Sequence, residues 1–305
     1  MQYHYDLPAK LQMIGKIFSI KDVLALAVEE DYIKKYYWIN KIPYSIFHHF
    51  GNAVHMGISR NGQYKNDDLY EQARTIERYV RANNATNVLE LGGGRGINSI
   101  YLAKRNTNTH FASLDFSISQ TNIARGLGKG LLNFQPVLGS YQDLSIFEAN
   151  SFDIVFAVET LCHSIDIGRT LAQATRVLSR DGVFIVFDGY CGKWSHLTAD
   201  ERTATILVGK GMAVAQFNEH HAFCEVANRA GLRVVDQENL SKFVVPTMQR
   251  FEHLAGKFFR RPARARILSA LLPKTFMFNA VSGFLMPTLM ETGATQYWVT
   301  VFQNK

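Results

Sequence analysis

Three acidic residues, each at the end of an apolar run, are well placed in this sequence to hold a ligand: Glu90, Asp115 and Glu159. A carboxylate attracts an ammonium or sulfonium group and repels a pyrophosphate. At the end of a strand it also accepts hydrogen bonds from the hydroxyls of a ribose. Asp115 lies 25 residues after Glu90, an interval that suits this role. The three positions predict a site for a cationic ligand that carries a ribose.

A glycine-rich turn follows Glu90 directly and contains Gly92, Gly94 and Gly96. Glycine lets a backbone turn sharply and approach a ligand closely, and a helix that starts after such a turn points N–H groups at the ligand. Position 97 is Ile97, where the dinucleotide fingerprint requires glycine. The spacing therefore disfavours a nicotinamide dinucleotide.

A carboxylate and an imidazole stand close together in the segment after a later strand, as Glu159 and His163. The pair suggests stabilisation of positive charge and removal of a proton. His55 is a second candidate base, and a structural role is the alternative for either histidine. We interpret Cys162 as a small packing residue rather than a nucleophile.

The elements that position these residues alternate between apolar strands and amphipathic helices. This alternation predicts an α/β fold in which ligands bind at the carboxyl edge of the strands. Strands are predicted at residues 88–91, 110–115, 137–141 (with its exit loop), 152–158, 183–187, 232–236 and 297–302.

The glycine turn and its preceding acid resemble the first motif of class I S-adenosylmethionine-dependent methyltransferases. The resemblance implies a Rossmann-like, seven-stranded sheet whose last strand is antiparallel, and S-adenosylmethionine as cofactor. It also implies cofactor contacts beyond the acids and glycines, at Phe116 and Ser117 beside the adenine and at Ser140 and Tyr141 after the third strand. No metal ligands are predicted.

The run Val158-Glu159-Thr160-Leu161-Cys162-His163-Ser164 resembles the corresponding motif of the sterol C-24 methyltransferases, with Glu, Cys and His in register. Phe50-Gly51 and His55 match a second feature of that group, which is related to the tocopherol and prenyl-chain methyltransferases. The resemblance implies methylation of an alkene carbon of a lipophilic, isoprenoid acceptor through a carbocation. O- or N-methylation of a small natural product is the alternative.

The segments outside the core are expected to form caps. Residues 1–85 are predicted to form a helical lid with helices at 21–37 and 68–80, and residues 86–240 to form the cofactor-binding core. Residues 241–294 are predicted to form a helical substrate cap, and residues 295–305 the final strand. The aromatic residues expected to line the acceptor pocket from the lid are Tyr44, Phe47 and Phe50.

The amino-acid composition of the chain narrows the classes of molecule that it is expected to bind. The chain has 305 residues, 47% of them hydrophobic, and a formal net charge of +7, which indicates a globular protein. Its three cysteines form no disulfide framework and suit a reducing cytoplasm, and no nucleic-acid recognition module is present.

Residues 257–274 hold six basic residues and no acid, which fits a solvated helix, peripheral contact with an anionic membrane, or a diphosphate clamp. The long N-terminal segment permits pairing into a homo-oligomer.

Overall fold

A seven-stranded sheet forms the centre of the computed structural model, which describes residues 6–29, 31–33, 35–36, 39 and 55–305. Its strands, in chain order, are β1 Asn87–Leu91, β2 His110–Asp115, β3 Phe134–Leu138, β4 Phe152–Val158, β5 Leu178–Cys191, β6 Leu232–Asn239 and β7 Thr295–Asn304. The helices are α1 Leu7–Gly15, α2 Ile20–Leu24, α3 Glu71–Ala82, α4 Ile97–Arg105, α5 Ile118–Leu127, α6 Ile167–Val177, α7 Ala199–Gly211, α8 His220–Arg229, α9 Ser241–Phe259, α10 Pro262–Leu271 and α11 Lys274–Thr292.

The strand order is β3-β2-β1-β4-β5-β7-β6, and β7 runs antiparallel to both of its neighbours. This arrangement confirms the predicted Rossmann-like fold with an antiparallel last strand. Leu91 pairs with Leu114 on one side and with Ala157 on the other, in parallel. The carboxyl ends of β1, β2 and β4 therefore meet at one edge of the sheet.

Helices cover both faces of the sheet, because its central strands are apolar on both sides. Residues of α3, α4, α5 and α9 pack in one core cluster with β1 and β4. Residues of α6 and α8 pack in a second cluster on the opposite face. None of the described helices has the length and apolar character needed to cross a membrane.

A third core cluster joins α1 and α7 to α9 and α11 above the carboxyl edge of the strands. A buried cation lies within this helical layer, where Lys10 pairs with Glu252 and donates to Thr288 Oγ1 at 2.6 Å. A buried charge needs such partners, because it loses its hydration. The layer thus places residues distant in sequence over the predicted ligand edge.

Three predicted elements differ from the structure. The helix predicted at 21–37 is interrupted, since α2 ends before Ala25 and residues 26–29 are not helical. In this non-helical stretch, Leu26 packs in the third core cluster and Val28 packs in a separate cluster with Ala213. The basic segment 257–274 is not one helix, because Arg261 has a non-helical backbone (φ −123°, ψ 68°) and Pro262 begins α10; the residue before a proline disfavours the helical conformation. The third strand begins at Phe134, three residues before the predicted span of strand and exit loop, and it ends at Leu138 within that span.

Candidate functional site

The turn after β1 depends on glycine at successive positions. Gly92 and Gly94 have φ of 64° and 54°, a region that strongly favours glycine. A Cβ on Gly92 would lie 1.9 Å from Thr160 Oγ1, and one on Gly93 would lie 2.0 Å from Ser113 Oγ. A Cβ on Gly94 would meet nothing within 4 Å. Gly94 therefore presents its backbone to open space, whereas Gly92 and Gly93 pack against neighbouring strand ends.

Glu90 lies buried beneath this turn. Its carboxylate accepts hydrogen bonds from Ser99 Oγ at 2.6 Å, Ser113 Oγ at 2.9 Å and Asn98 Nδ2 at 3.3 Å. Burial raises the pKa of Glu90 to about 7, although these donors act in the opposite direction. The side chain joins the turn to β2 and to the first turn of α4.

Asp115 ends β2 and faces the same turn. Its Oδ2 accepts from the Gly94 N–H at 2.9 Å and its Oδ1 from the Ser117 N–H at 2.8 Å. Burial raises the pKa of Asp115 to about 6. Each carboxylate oxygen can accept a further hydrogen bond, so the group suits a ligand with hydroxyl donors.

Asp188, which sequence reasoning did not select, ends the apolar core of β5 at the same edge. Its Oδ2 accepts from the Cys162 N–H at 3.0 Å and its Oδ1 from the Gly189 N–H at 2.8 Å. Burial raises the pKa of Asp188 to about 6. Its position after an apolar run, like that of Asp115, is the signal that identifies it in the sequence.

Glu159 follows β4 with a φ of 50°, a conformation that non-glycine residues adopt at an energetic cost. Its Oε1 accepts from the Met56 N–H at 2.7 Å and from the Tyr297 hydroxyl at 2.8 Å. Burial is the main cause that raises the pKa of Glu159 to about 7, and the charge of Asp188 acts in the same direction. The carboxyl group thus connects the segment before α3, the end of β4 and the last strand.

Both candidate histidines are held by backbone carbonyls. His163 Nδ1 lies 3.1 Å from the Ala213 carbonyl oxygen, and His55 Nε2 lies 2.7 Å from that of Leu69. A carbonyl accepts only, so the contacting nitrogen carries the hydrogen and the other nitrogen is the basic one. Burial lowers the pKa of both histidines, which favours neutral imidazoles at neutral pH.

A cavity of about 180 Å³ lies over the carboxyl edge of the strands. Its lining includes many of the predicted site residues: His55, Glu90, Gly92, Gly94, Asp115, Phe116, Tyr141, Glu159 and His163. The lining also includes Gly93 and Asp188. The structure thus brings the main predicted acids, the glycine turn and both histidines together around one space.

Three predicted residues lie beside this cavity rather than in its lining. Gly96 precedes α4, where a Cβ would lie 2.8 Å from Phe134. Ser117 precedes α5, and Ser140 is exposed after β3, where its Oγ accepts from the Gln142 N–H at 3.2 Å. The predicted pocket residues Tyr44, Phe47 and Phe50 lie outside the described residues.

A second cavity, of about 410 Å³, adjoins the first and is mostly apolar. Helices α9, α10 and α11 supply most of its lining, including Phe251, Phe258 and Phe276. The two cavities have in common the residues Tyr36, Met56, Glu159, Met212 and Met286. Glu159 is the only acidic residue in the described lining of the apolar cavity, and it stands where that cavity meets the first one.

Comparison with known proteins identifies the domain. Residues 89–186 match the family model described as "Methyltransferase domain". A glycine/sarcosine/dimethylglycine N-methyltransferase from Actinopolyspora halophila is 31% identical over 144 residues, which is 45% of this chain and 25% of that protein. The chain therefore matches about a quarter of the length of this curated relative.

Solved structures with low sequence identity have the same fold. The cyclase SpnF is similar with a TM-score of 0.71 at 17% identity, covering 89% of this chain and 95% of the other. Geranyl diphosphate C-methyltransferase from Streptomyces coelicolor A3(2) is similar with a TM-score of 0.65 at 13% identity, covering 92% and 99%. These structures confirm the predicted fold, and the family match identifies residues 89–186 as a methyltransferase domain, the enzyme class for which S-adenosylmethionine was predicted as cofactor.

Proposed function

We propose that this protein transfers the methyl group of S-adenosylmethionine to an alkene carbon of a lipophilic, isoprenoid acceptor. The observation that carries the proposal is the position of Glu159, a carboxylate at the junction of a polar and an apolar cavity. The sulfonium of the cofactor supplies an electrophilic methyl group. The residues of the chain then have to hold the donor, bury the acceptor and stabilise the charge that develops.

The first cavity suits the cofactor chemically. Asp115 has acceptor capacity for ribose hydroxyls, and Gly94 leaves space for close approach of a ligand. Asn98 lines this cavity, and its buried Oδ1 has no hydrogen-bond partner among the described residues. Buried polar atoms are normally paired, so an ammonium group of the cofactor is a suitable donor to it.

The second cavity suits an apolar acceptor. Its described lining contains aromatic and aliphatic side chains with few polar ones, and no Lys or Arg. An amino-acid acceptor such as sarcosine carries a carboxylate, and burying that charge without a cationic partner is costly. This lining therefore favours an uncharged hydrocarbon over the acceptor named for the curated relative. Tyr44, Phe47 and Phe50 are proposed to complete the pocket as a lid.

In this proposal Glu159 stabilises the positive charge that develops on the acceptor. Methylation of an alkene leaves a carbocation, and a nearby carboxylate stabilises it best in a site that excludes water. The hydrogen bonds from Met56 and Tyr297 fix the carboxylate in place. An adjacent cation also favours the ionised form of Glu159, because opposite charges lower the pKa of an acid.

Removal of the proton that regenerates an alkene is assigned to His163 or His55. Each lines the first cavity, and burial favours the neutral form that can accept a proton. His163 is four residues after Glu159 and follows the same strand end. We therefore propose His163 as the first candidate for the base and His55 as the second.

The test is the identity of the methylated product. The full chain is incubated with carbon-13 methyl-labelled S-adenosylmethionine and short isoprenoid alkenes in detergent micelles, beside the saturated analogue of each. We expect a new carbon-bound methyl signal by NMR with the alkenes and none with the saturated analogues. Labelling of sarcosine in place of every alkene would contradict the proposal.

The alternative function is O- or N-methylation of a small molecule. It is favoured by the N-methyltransferase relative, and a neutral His163 also suits deprotonation of a hydroxyl. A labelled methyl group bound to oxygen or nitrogen would establish it. The product therefore separates the two functions directly.

A further inference from the structure

We propose that α10 and the adjoining ends of α9 and α11 dock on an anionic lipid bilayer, so that the acceptor enters the apolar cavity from the membrane. The entry of a lipophilic acceptor by this route rests on the proposed function, whereas docking itself does not require it. The docking surface comprises the exposed side chains of residues 254–274. Three properties of this surface support the proposal.

The first property is the exposure of large apolar side chains. Ile267 is 62% exposed and Leu271 is 76% exposed, and they lie one helical turn apart on α10. Within α10 only Ala265 is buried. A helix that leaves large aliphatic side chains in solvent beside basic ones is suited to insertion into the boundary between headgroups and acyl chains.

The second property is charge. Residues 257–274 hold six Lys or Arg residues and no acid, and all six are exposed. Lys or Arg residues near a membrane surface attract anionic lipids additively. A diphosphate clamp would require these cations to converge on a cavity, but the described lining of the apolar cavity includes none of them. Their distribution over an outer surface fits a planar array of anions better.

The third property is continuity with the apolar cavity. Leu254, Leu268 and Leu272 line that cavity and are also 44%, 43% and 39% exposed. The rim of the cavity is therefore part of the docking surface. A bilayer in contact with this surface would cover the exposed leucines and connect the acyl region with the cavity that leads to Glu159.

Vesicle cosedimentation of the full chain tests the proposal. We expect binding to vesicles of phosphatidylcholine mixed with phosphatidylglycerol, and much weaker binding to phosphatidylcholine alone. Since each basic residue near the surface contributes about fivefold, Arg261→Gln with Arg264→Gln should weaken binding to the anionic vesicles about 25-fold. Ile267→Ser with Leu271→Ser should weaken it as well, and this loss should persist in high salt, which screens charges but not apolar contacts.

The matched control is Lys129→Gln with Leu132→Ser, which removes one cation and one exposed leucine from the turn before β3 at the amino end of the strands. It should bind vesicles like the unmodified chain. All variants should retain binding of S-adenosylmethionine, measured by calorimetry, because none of these residues lines the first cavity.

The vesicle-binding results either support membrane docking or rule it out. Failure to sediment with anionic vesicles, equal binding to neutral vesicles, or an equal loss in the control pair would each overturn the proposal. If vesicle binding follows the expected pattern but no alkene is methylated in micelles, docking stands and the proposed function is wrong. If alkenes are methylated in micelles without vesicle binding, the function stands and docking is wrong.

Discussion

Glu159→Gln separates the charge of this side chain from its shape. Glutamine retains an oxygen that can accept from the Met56 N–H and the Tyr297 hydroxyl, so the local structure should persist. It removes the negative charge proposed to stabilise the carbocation. Loss of a comparable electrostatic group costs about 10²–10³-fold in kcat. We expect that loss in a variant that still binds S-adenosylmethionine, because Glu90, Asp115 and Asp188 continue to line the first cavity.

The same substitution should change stability with a defined dependence on pH. The pKa of Glu159 is about 7 in the folded protein, above the reference value of 4.5. A raised pKa means that the folded state binds the proton more tightly than the unfolded state does. The carboxyl group therefore makes its whole contribution to stability at a pH below the pKa of the unfolded state. That contribution is lost as the pH rises through the pKa of the folded state. Glutamine does not titrate and avoids this loss.

The magnitude follows from the shift. Because one pKa unit corresponds to about 1.4 kcal/mol, the free energy of unfolding of Glu159→Gln relative to the unmodified chain should rise by about 2.5 kcal/mol between about pH 5 and about pH 8. Urea denaturation without cofactor at the two pH values measures it. Glu148→Gln, at an exposed position, should show no comparable change. An unchanged stability difference, or full turnover of the true acceptor by Glu159→Gln, would refute this reasoning.

Three further substitutions test other parts of the site. Asp115→Ala should weaken S-adenosylmethionine binding in calorimetry by about 10- to 100-fold, since hydrogen bonds to a charged group contribute about 1.5–3 kcal/mol; unchanged affinity would remove the ribose assignment. Gly92→Ala should abolish cofactor binding, because its Cβ would clash with Thr160, whereas Gly130→Ala, with a φ of 91° but open space around it, should retain binding measured in the same way. His163→Gln should lower kcat by about 10²-fold or more if it is the base, with unchanged cofactor affinity; equal kcat would transfer the assignment to His55.

The sequence was sufficient for the fold, because the apolar strands and the glycine turn are local signals. Strands β2 and β4 were predicted with the bounds that the structure has. The seven-stranded sheet with an antiparallel β7 followed from the resemblance to the class I enzymes and is confirmed. The enzyme class and the cofactor followed from the same motif, with Glu90 and the glycines after it.

Contacts between distant segments could not be predicted in this way. The partners of Glu159 come from Met56 and Tyr297, which are 103 and 138 residues away in the sequence. The apolar cavity likewise forms only when α9, α10 and α11 fold over the carboxyl edge of the sheet. Periodicity predicts that such helices exist, but not which of their side chains face one another.

The four acidic residues at the strand ends have one physical property in common, which links stability to the proposed function. Burial raises the pKa of Glu90, Asp115, Glu159 and Asp188 to between about 6 and about 7. Ionising several of them in the empty protein is unfavourable, because each carboxylate loses hydration and Asp188 also repels Glu159. A bound sulfonium and ammonium supply the missing positive charge, so the cavity is better matched to the charged donor than to water. The arrangement therefore favours a cationic cofactor over the neutral or anionic ligands of similar size that a Rossmann-like sheet can also accommodate.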